Sequence, residues 1–382
     1  MTAALPALDL RGRLERLRAL FTTAAPDEHA VDALLVTAPA NIRWLTGFTG
    51  SAGLLLVTAD QAVLTTDGRY RTQSSEQLAA AGVDAEVAVT IGGLQVQRQA
   101  LRDASAGMAL VGLEADDVTW AAQRSWAELL SGIELAPTRG VVEGLRVVKD
   151  AGEVARMERA ASIADDALGA VLPLLAAAGS AGSTGDLTES RFAAALDHAM
   201  RQGGAEESAF ETIVASGENS AKPHHRPGGR VIRAGDPVVV DFGAVYEGYR
   251  SDMTRTFCVG GPPTGELATV FEVVAASQRL GVGSVRPGVS AGDVDRTCRE
   301  AIAESGWAEY FEHGTGHGVG LDIHEQPSVG PGSAAILVPG TVVTVEPGVY
   351  LPRTGGVRIE DTLVVTEDGS RSLTQFPKEV AV

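Results

Sequence analysis

The sequence predicts two consecutive domains, an α/β domain over residues 1–142 and an α+β domain over residues 143–382. Three observations carry this reading. Strand-like and helix-like segments alternate through the first part, the order expected of an α/β domain with a mixed sheet. Around 139–150 (RGVVEGLRVVKD) the alternation gives way to a long amphipathic helix. After residue 210 the chain becomes rich in strands and glycine. The length of 382 residues fits two or three domains, at about 100–200 residues each. With 45% hydrophobic and 21% charged residues the chain can bury a core and is not disordered.

Taken in order, residues 8–21 place Leu10, Leu14, Leu17 and Phe21 at helical spacing. Apolar runs at Ala33–Val36, Gly53–Val57 and Ala62–Thr66 read as strands, the last closed by the turn signal Asp67-Gly68. Helices are expected near 70–81, 92–104 and 116–130, separated by strands near 84–89 and 108–113. In the second domain Val154, Met157, Ala160, Ile163, Ala164, Leu168, Val171 and Leu172 form one helical stripe. The Gly/Ser/Thr cluster 179–185 ends that helix. Further helices are expected at about 187–202, 264–281 and 291–305. Asn41, Arg43 and Trp44 read as packing at the domain interface, with reach into a neighbouring subunit's site as the alternative, and His29 and His198 as surface residues.

Charge narrows the function. The formal net charge is −18, with three lysines (Lys149, Lys222, Lys378) and no basic run. Nucleic-acid binding rests on Lys and Arg neutralising phosphates, so it is disfavoured, as is docking on anionic lipid. Cys258 and Cys298 read as reduced, buried and structural. The N-terminal stretch lacks a basic region ahead of an apolar one, and no apolar run approaches the ~20 residues of a membrane span. A soluble, cytoplasmic protein is expected. There is no P-loop, no G-x-G-x-x-G opening a helix after a strand and no G-x-S-x-G elbow. His324-Glu325 cannot open an H-E-x-x-H zinc helix, because residue 328 is Ser and Pro327 would break the helix.

Five of the seven histidines, His224, His225, His313, His317 and His324, fall in one stretch of the second domain, and carboxylates appear there inside apolar strands. In VVVDFGAVYEGYRSDMTRTF (238–257) a hairpin centred between residues 246 and 247 would set Asp241 directly opposite Asp252. Such opposed residues have Cβ atoms about 4.5–5.5 Å apart. Farther on, TVVTVEPGVYLPRTGGVRIEDTLVV (341–365) carries Glu346 and Glu360, which a hairpin centred on Arg353 would oppose. A single strand Asp usually lies at an edge or in a solvated turn. Two opposed acidic pairs in apolar strands instead require a cation, since burial and like charge both penalise the ionised form. HGTGHGVGLDIHEQP (313–327) lies between them, its glycines permitting close backbone approach. Four carboxylates and an imidazole make a hard, oxygen-rich set, suited to a pair of Mn²⁺, Co²⁺ or Zn²⁺ ions.

These residues resemble the metallopeptidases of the creatinase/methionine aminopeptidase superfamily (family M24), closest to the Xaa-Pro aminopeptidase and Xaa-Pro dipeptidase (prolidase) branch. NIRWLTGFTGS (41–51) and TTDGRYRTQ (65–73) are similar to that family's N-terminal creatinase-like domain, and LRVVKDAGEVARM (145–157) to its junction. The resemblance implies a C-terminal pita-bread catalytic domain and a homodimer. It implies Asp241, Asp252, His317, Glu346 and Glu360 as metal ligands, with Asp252 and Glu360 bridging two divalent ions, Mn²⁺ first, then Co²⁺ or Zn²⁺. His224 (in SGENSAKPHH) and His324 (in DIHEQP) match the active-site histidines, and Glu346 is the expected proton shuttle. Arg358 is expected to hold a carboxylate or meet the substrate, and His225 and His313 to be neighbours. The implied reaction is cleavage between an N-terminal residue and a following proline by a metal-bridging hydroxide. Proline-containing peptides are then the substrate. A prolidase confined to dipeptides is the alternative, and a metal-free pita-bread binding module is the alternative of another class.

Overall fold

The computed structural model describes residues 5–21, 30–180, 187–379 and 381–382. His29 and most of the 179–185 cluster lie outside the described residues. The chain divides into two compact units, Leu8–Arg146 and the remainder with Val147–Val382.

The Leu8–Arg146 unit follows the alternation read from the sequence. Its order is α1 (Arg13–Leu20), β1 (Ala33–Val36), α2 (Pro39–Thr46), β2 (Gly53–Thr58), β3 (Ala62–Thr66), α3 (Arg71–Ala81), β4 (Val87–Ile91), α4 (Leu94–Ala104), β5 (Leu110–Glu114), α5 (Trp120–Leu129), β6 (Glu134–Thr138) and α6 (Val141–Arg146). The sheet runs β4-β3-β2-β1-β5-β6. It is mixed: β1–β2 and β2–β3 are antiparallel, while β3–β4, β1–β5 and β5–β6 are parallel. Leu10, Leu14, Leu17 and Phe21 are all buried, as their spacing predicts. Three elements escaped the periodicity: α2, β6 and the short α6. Helix α2 is set by Pro39 in its first turn and ended by Gly47 at φ 75°, and β6 is a short edge strand carrying Pro137. Ile42, Trp44 and Leu45 of α2 are buried, and so is Asn41.

The second unit begins with α7 (Ala151–Gly179), whose Asp150 and Glu153 form a capping box. Among the described residues it is the one helix long and apolar enough to cross a membrane. Its stripe of Ile163, Ala164, Ala167, Leu168, Val171 and Leu175 is instead buried in the core. That core is completed by α8 (Glu189–Gln202), β7 (Ile213–Ser216), β8 (Pro237–Phe242) and β11 (Met253–Cys258), the strands ordered β11-β8-β7. A small hairpin, β9 (Val245–Tyr246) and β10 (Tyr249–Arg250), caps β8 and β11.

The other half repeats the plan. Helices α9 (Gly265–Ser284) and α10 (Ala291–Glu304) cover β12 (Gly316–Gly318), β13 (Glu325–Val329), β14 (Val342–Val345), β17 (Asp361–Val365) and β18 (Ser370–Ser372), ordered β13-β12-β14-β17-β18. Strands β15 (Gly348–Leu351) and β16 (Gly355–Arg358) continue the β14–β17 ladder as a separate pair. The halves meet along β11, where Glu360 N donates to Thr254 O at 3.1 Å and Thr256 Oγ1 to Arg358 O at 2.7 Å. This is the pita-bread arrangement that the resemblance implies.

Candidate active site

The two acidic hairpins converge where the halves meet. In the first, Tyr246 pairs with Tyr249 and the turn is Glu247-Gly248, with φ of 43° and 75°. Positive φ at both central residues marks a two-residue turn matched to strand twist. The hairpin therefore centres one residue later than the sequence suggested. Asp241 lies opposite Thr254, and Asp252 sits just before β11, a diagonal neighbour on the same face rather than the direct partner of Asp241. Gly243 makes the approach possible, since a Cβ there would stand 1.9 Å from Ser251 O.

The second hairpin keeps the register centred on Arg353. Val345 pairs with Asp361 and Gly348 with Arg358. Glu346 and Glu360 occupy the gap between those two ladders, so both carboxylates can turn inward. Next to them β12 contributes His317, and Gly316 lets β12 close on β14, because a Cβ there would meet Thr344 O at 2.2 Å.

Asp241, Asp252 and Glu360 each place a carboxylate oxygen within 4.8 Å of the others. His317 Nε2 stands 3.5 Å from Asp252 Oδ2 and 3.3 Å from Glu346 Oε1. Its Nδ1 lies 3.0 Å from Gly318 O. A carbonyl accepts only, so Nδ1 carries the proton, and a neutral ring then aims its Nε2 lone pair at two carboxylates. Burial pushes the His317 pKa down, which keeps the ring neutral. Lone pair facing anion is repulsive unless a cation intervenes.

Electrostatics agree. Burial pushes the pKa of Asp252 well above the usual range, and Glu360, Asp241 and Glu346 push it the same way. Burial likewise raises Glu360, with Glu346 and Asp241 adding to it. Burial lifts Glu346 to about 8, with Arg358 opposing and Asp241 adding to the rise. Glu360 Oε2 accepts from Thr254 Oγ1 at 2.7 Å, whereas Glu360 Oε1 and Asp241 Oδ1 are buried without a hydrogen-bond partner. Buried oxygens with spare acceptor capacity, beside a lone-pair nitrogen, fit divalent cations.

The site lines a cleft of about 520 Å³. His224 and His324 stand on its wall and are both exposed to solvent. The His324 ring meets His317 edge-on at 4.4 Å between centroids. Arg358, 3% exposed, donates to Asp241 Oδ2 at 2.6 Å, to Tyr350 Oη at 2.8 Å and to Thr254 Oγ1 at 3.1 Å. The other two histidines have partners away from the carboxylates: His225 meets Glu189, and His313 meets Tyr350. Tyr350, Thr254, Glu189 and the apolar wall of Phe210, Ile213, Pro223 and Ile323 were not legible in the sequence. His198 is exposed, as expected.

Comparison with known proteins places this geometry in a family. Residues 13–148 match the creatinase/prolidase N-terminal domain and residues 155–367 match metallopeptidase family M24. The uncharacterized peptidase YqhT of Bacillus subtilis is 40% identical over 97% of this chain and 99% of its own length. The structure of a Xaa-Pro dipeptidase from Bacillus anthracis superposes with a TM-score of 0.89 at 36% identity, covering 98% of this chain and 100% of that one. A X-Pro aminopeptidase from Thermotoga maritima superposes with a TM-score of 0.81 at 33% identity, covering 92% and 98%. With both domains matched in order and the relatives aligned nearly end to end, this chain belongs to metallopeptidase family M24, in the group that carries a creatinase/prolidase N-terminal domain.

Proposed function

We propose that this chain is a Xaa-Pro peptidase, similar to aminopeptidase P, that hydrolyses the bond between an N-terminal residue and a following proline. The observation that carries the reading is the cluster of Asp241, Asp252 and Glu360, joined to Glu346 through the His317 Nε2 lone pair that faces Asp252 and Glu346, with two buried carboxylate oxygens unsatisfied. These five residues would hold two divalent ions. An oxygen-rich set suits Mn²⁺ best, with Co²⁺ or Zn²⁺ as the other candidates. When bound, such ions bring the pKa of a coordinated water toward neutrality and polarise the scissile carbonyl.

The protein's own groups do the rest. Glu346, whose carboxylate lies 3.3 Å from His317 Nε2 in the acidic cluster, would take a proton from the attacking water and pass it to the leaving nitrogen. His224 and His324, on the cleft wall, would donate to the carbonyl oxygen as negative charge develops there. Arg358 orients Asp241. Proline makes the scissile bond a tertiary amide without an N–H. Its ring needs an apolar surface, which Phe210, Ile213, Pro223 and Ile323 offer beside the carboxylates. The catalytic part in this reading is residues 143–382, the enzyme is a homodimer, and it works in the cytoplasm.

A second reading, a Xaa-Pro dipeptidase, is favoured by the similarity to the Bacillus anthracis enzyme of that name. One experiment separates the two. The Mn²⁺-loaded protein is assayed on Xaa-Pro, Xaa-Pro-Xaa and Xaa-Ala-Xaa peptides. Cleavage of Xaa-Pro-Xaa at the first bond, with Xaa-Ala-Xaa spared, is expected. Turnover confined to Xaa-Pro supports the dipeptidase, and equal turnover of the alanine peptide contradicts both.

A further inference from the structure

Glu189 is a buried carboxylate outside the acidic cluster. It is the first residue of α8, preceded by Thr188, whose Oγ1 accepts from Arg191 N at 3.2 Å. Its side chain is 0% exposed. Among the described residues, the hydrogen-bond partners of that side chain all belong to the segment 216–228, which carries His224. Oε1 accepts from Ser216 N at 2.8 Å, Ser216 Oγ at 2.8 Å and Asn219 Nδ2 at 3.0 Å. Oε2 accepts from His225 Nε2 at 2.8 Å and Gly228 N at 3.1 Å. One carboxylate thus ties the outgoing and returning limbs of the segment together, on both sides of His224.

The chemistry suits an ionised clamp. Burial pushes the Glu189 pKa up, but the donors from Asn219, Ser216 and His225 outweigh it and hold the group below its ordinary value. The start of a helix also favours negative charge. An acceptor-only carboxylate can take five donors, whereas an amide in its place would point N–H groups at two of them. The segment matters because His224 itself is exposed on the cleft wall, so its aim depends on the backbone beneath it.

We propose that Glu189 is a positioning residue, which acts through His225 and the 216–228 segment to hold His224 at the scissile bond. This rests on the assignment of His224 to the reaction, and the experiment separates the two.

Kinetics of the Mn²⁺-loaded protein on a Xaa-Pro-containing peptide are measured for wild type, Glu189→Gln, His224→Asn and the double variant, with metal content. Glu189→Gln is expected to lower kcat about 10- to 100-fold, the range for a misplaced catalytic group. Its KM and metal content should stay near wild type. In the His224→Asn background the same change should cost less than about twofold, because residues acting as a unit are not additive. If Glu189→Gln lowers kcat by the same factor in both backgrounds, the positioning role is overturned while His224 stands. If His224→Asn alone leaves kcat unchanged, the His224 assignment is overturned and the clamp with it. Should Glu189→Gln fail to fold in a thermal melt, His225→Asn takes its place, since it removes only the imidazole contact on a half-buried side chain. Coupling to His224 is again expected, and additivity would overturn the proposal.

Discussion

Arg358 Nη2 donates to Asp241 Oδ2 at 2.6 Å, linking the end of β16 to β8 across the join between the two halves. The same guanidinium donates to Thr254 Oγ1, which in turn donates to Glu360 Oε2 at 2.7 Å. One cation therefore orients a carboxylate from each hairpin. A lysine offers a point charge without the planar fork and cannot reproduce both contacts. On the proposed ligand set, Arg358→Lys should weaken Mn²⁺ binding about 10- to 100-fold, the usual cost of losing an outer partner of a metal ligand. Calorimetric metal titration measures this; wild-type affinity in the variant would remove Arg358 from the site.

Asp252 and Glu360 are buried with their pKa values pushed up by burial and by neighbouring carboxylates. Without metal, this repulsion opposes folding at neutral pH. Glu360→Gln should abolish hydrolysis, yet melt at a higher temperature than the metal-free wild type. Added Mn²⁺ should reverse the order, because a ligand that binds the native state stabilises it by mass action. Thermal melts with and without metal test both halves. A metal-free variant less stable than wild type contradicts the repulsion.

How much of this was legible depends on where the signal lay. The register of the second hairpin could be read because apolar strands flank PGVYLPRTGG symmetrically about Arg353, and the observed pairing keeps that centre. The first was misplaced by one residue because Glu247, a non-glycine, takes φ 43° in the turn, which composition does not announce. The acidic hairpins stand out since charge inside valine runs is costly. Tyr350 and Glu189 carry no such signal. Glu189 meets His225, 36 residues away, and Tyr350 meets His313, 37 residues away, so only the fold brings them together.

His313 gives a pH prediction. Its Nδ1–H donates to Gly314 O at 2.7 Å, and its Nε2 lies 2.9 Å from Tyr350 Oη. Burial and the positive charge of Arg358 push its pKa down to about 4. The unfolded chain binds this proton near its ordinary 6.5, the native state only near 4. Stability from this group is therefore complete above 6.5 and is lost as pH falls toward 4, to a total of roughly 3 kcal/mol. Replacing His313 by Gln should flatten the decline in denaturation free energy between those pH values. An unchanged slope contradicts it.

Lys149 Nζ and Glu325 Oε2 form an ion pair at 3.0 Å, with side chains 1% and 5% exposed. Glu325 follows His324, and its Oε1 accepts from Asp322 N at 3.1 Å, so the pair pins the turn that presents the histidine. Removing one member of a buried pair is destabilising, at about 3–5 kcal/mol. Lys149→Met should lose stability of that order and lower kcat/KM as the turn loosens. In Lys149→Met/Glu325→Gln the buried carboxylate charge is gone as well, so most of the stability should return. Activity should stay low, because the amide cannot restore the anchoring of the turn. Denaturant melts and steady-state kinetics on the three proteins separate the effects. A double variant no more stable than Lys149→Met would contradict the buried-charge penalty, and one with wild-type kcat/KM would show that the pair does not hold the turn.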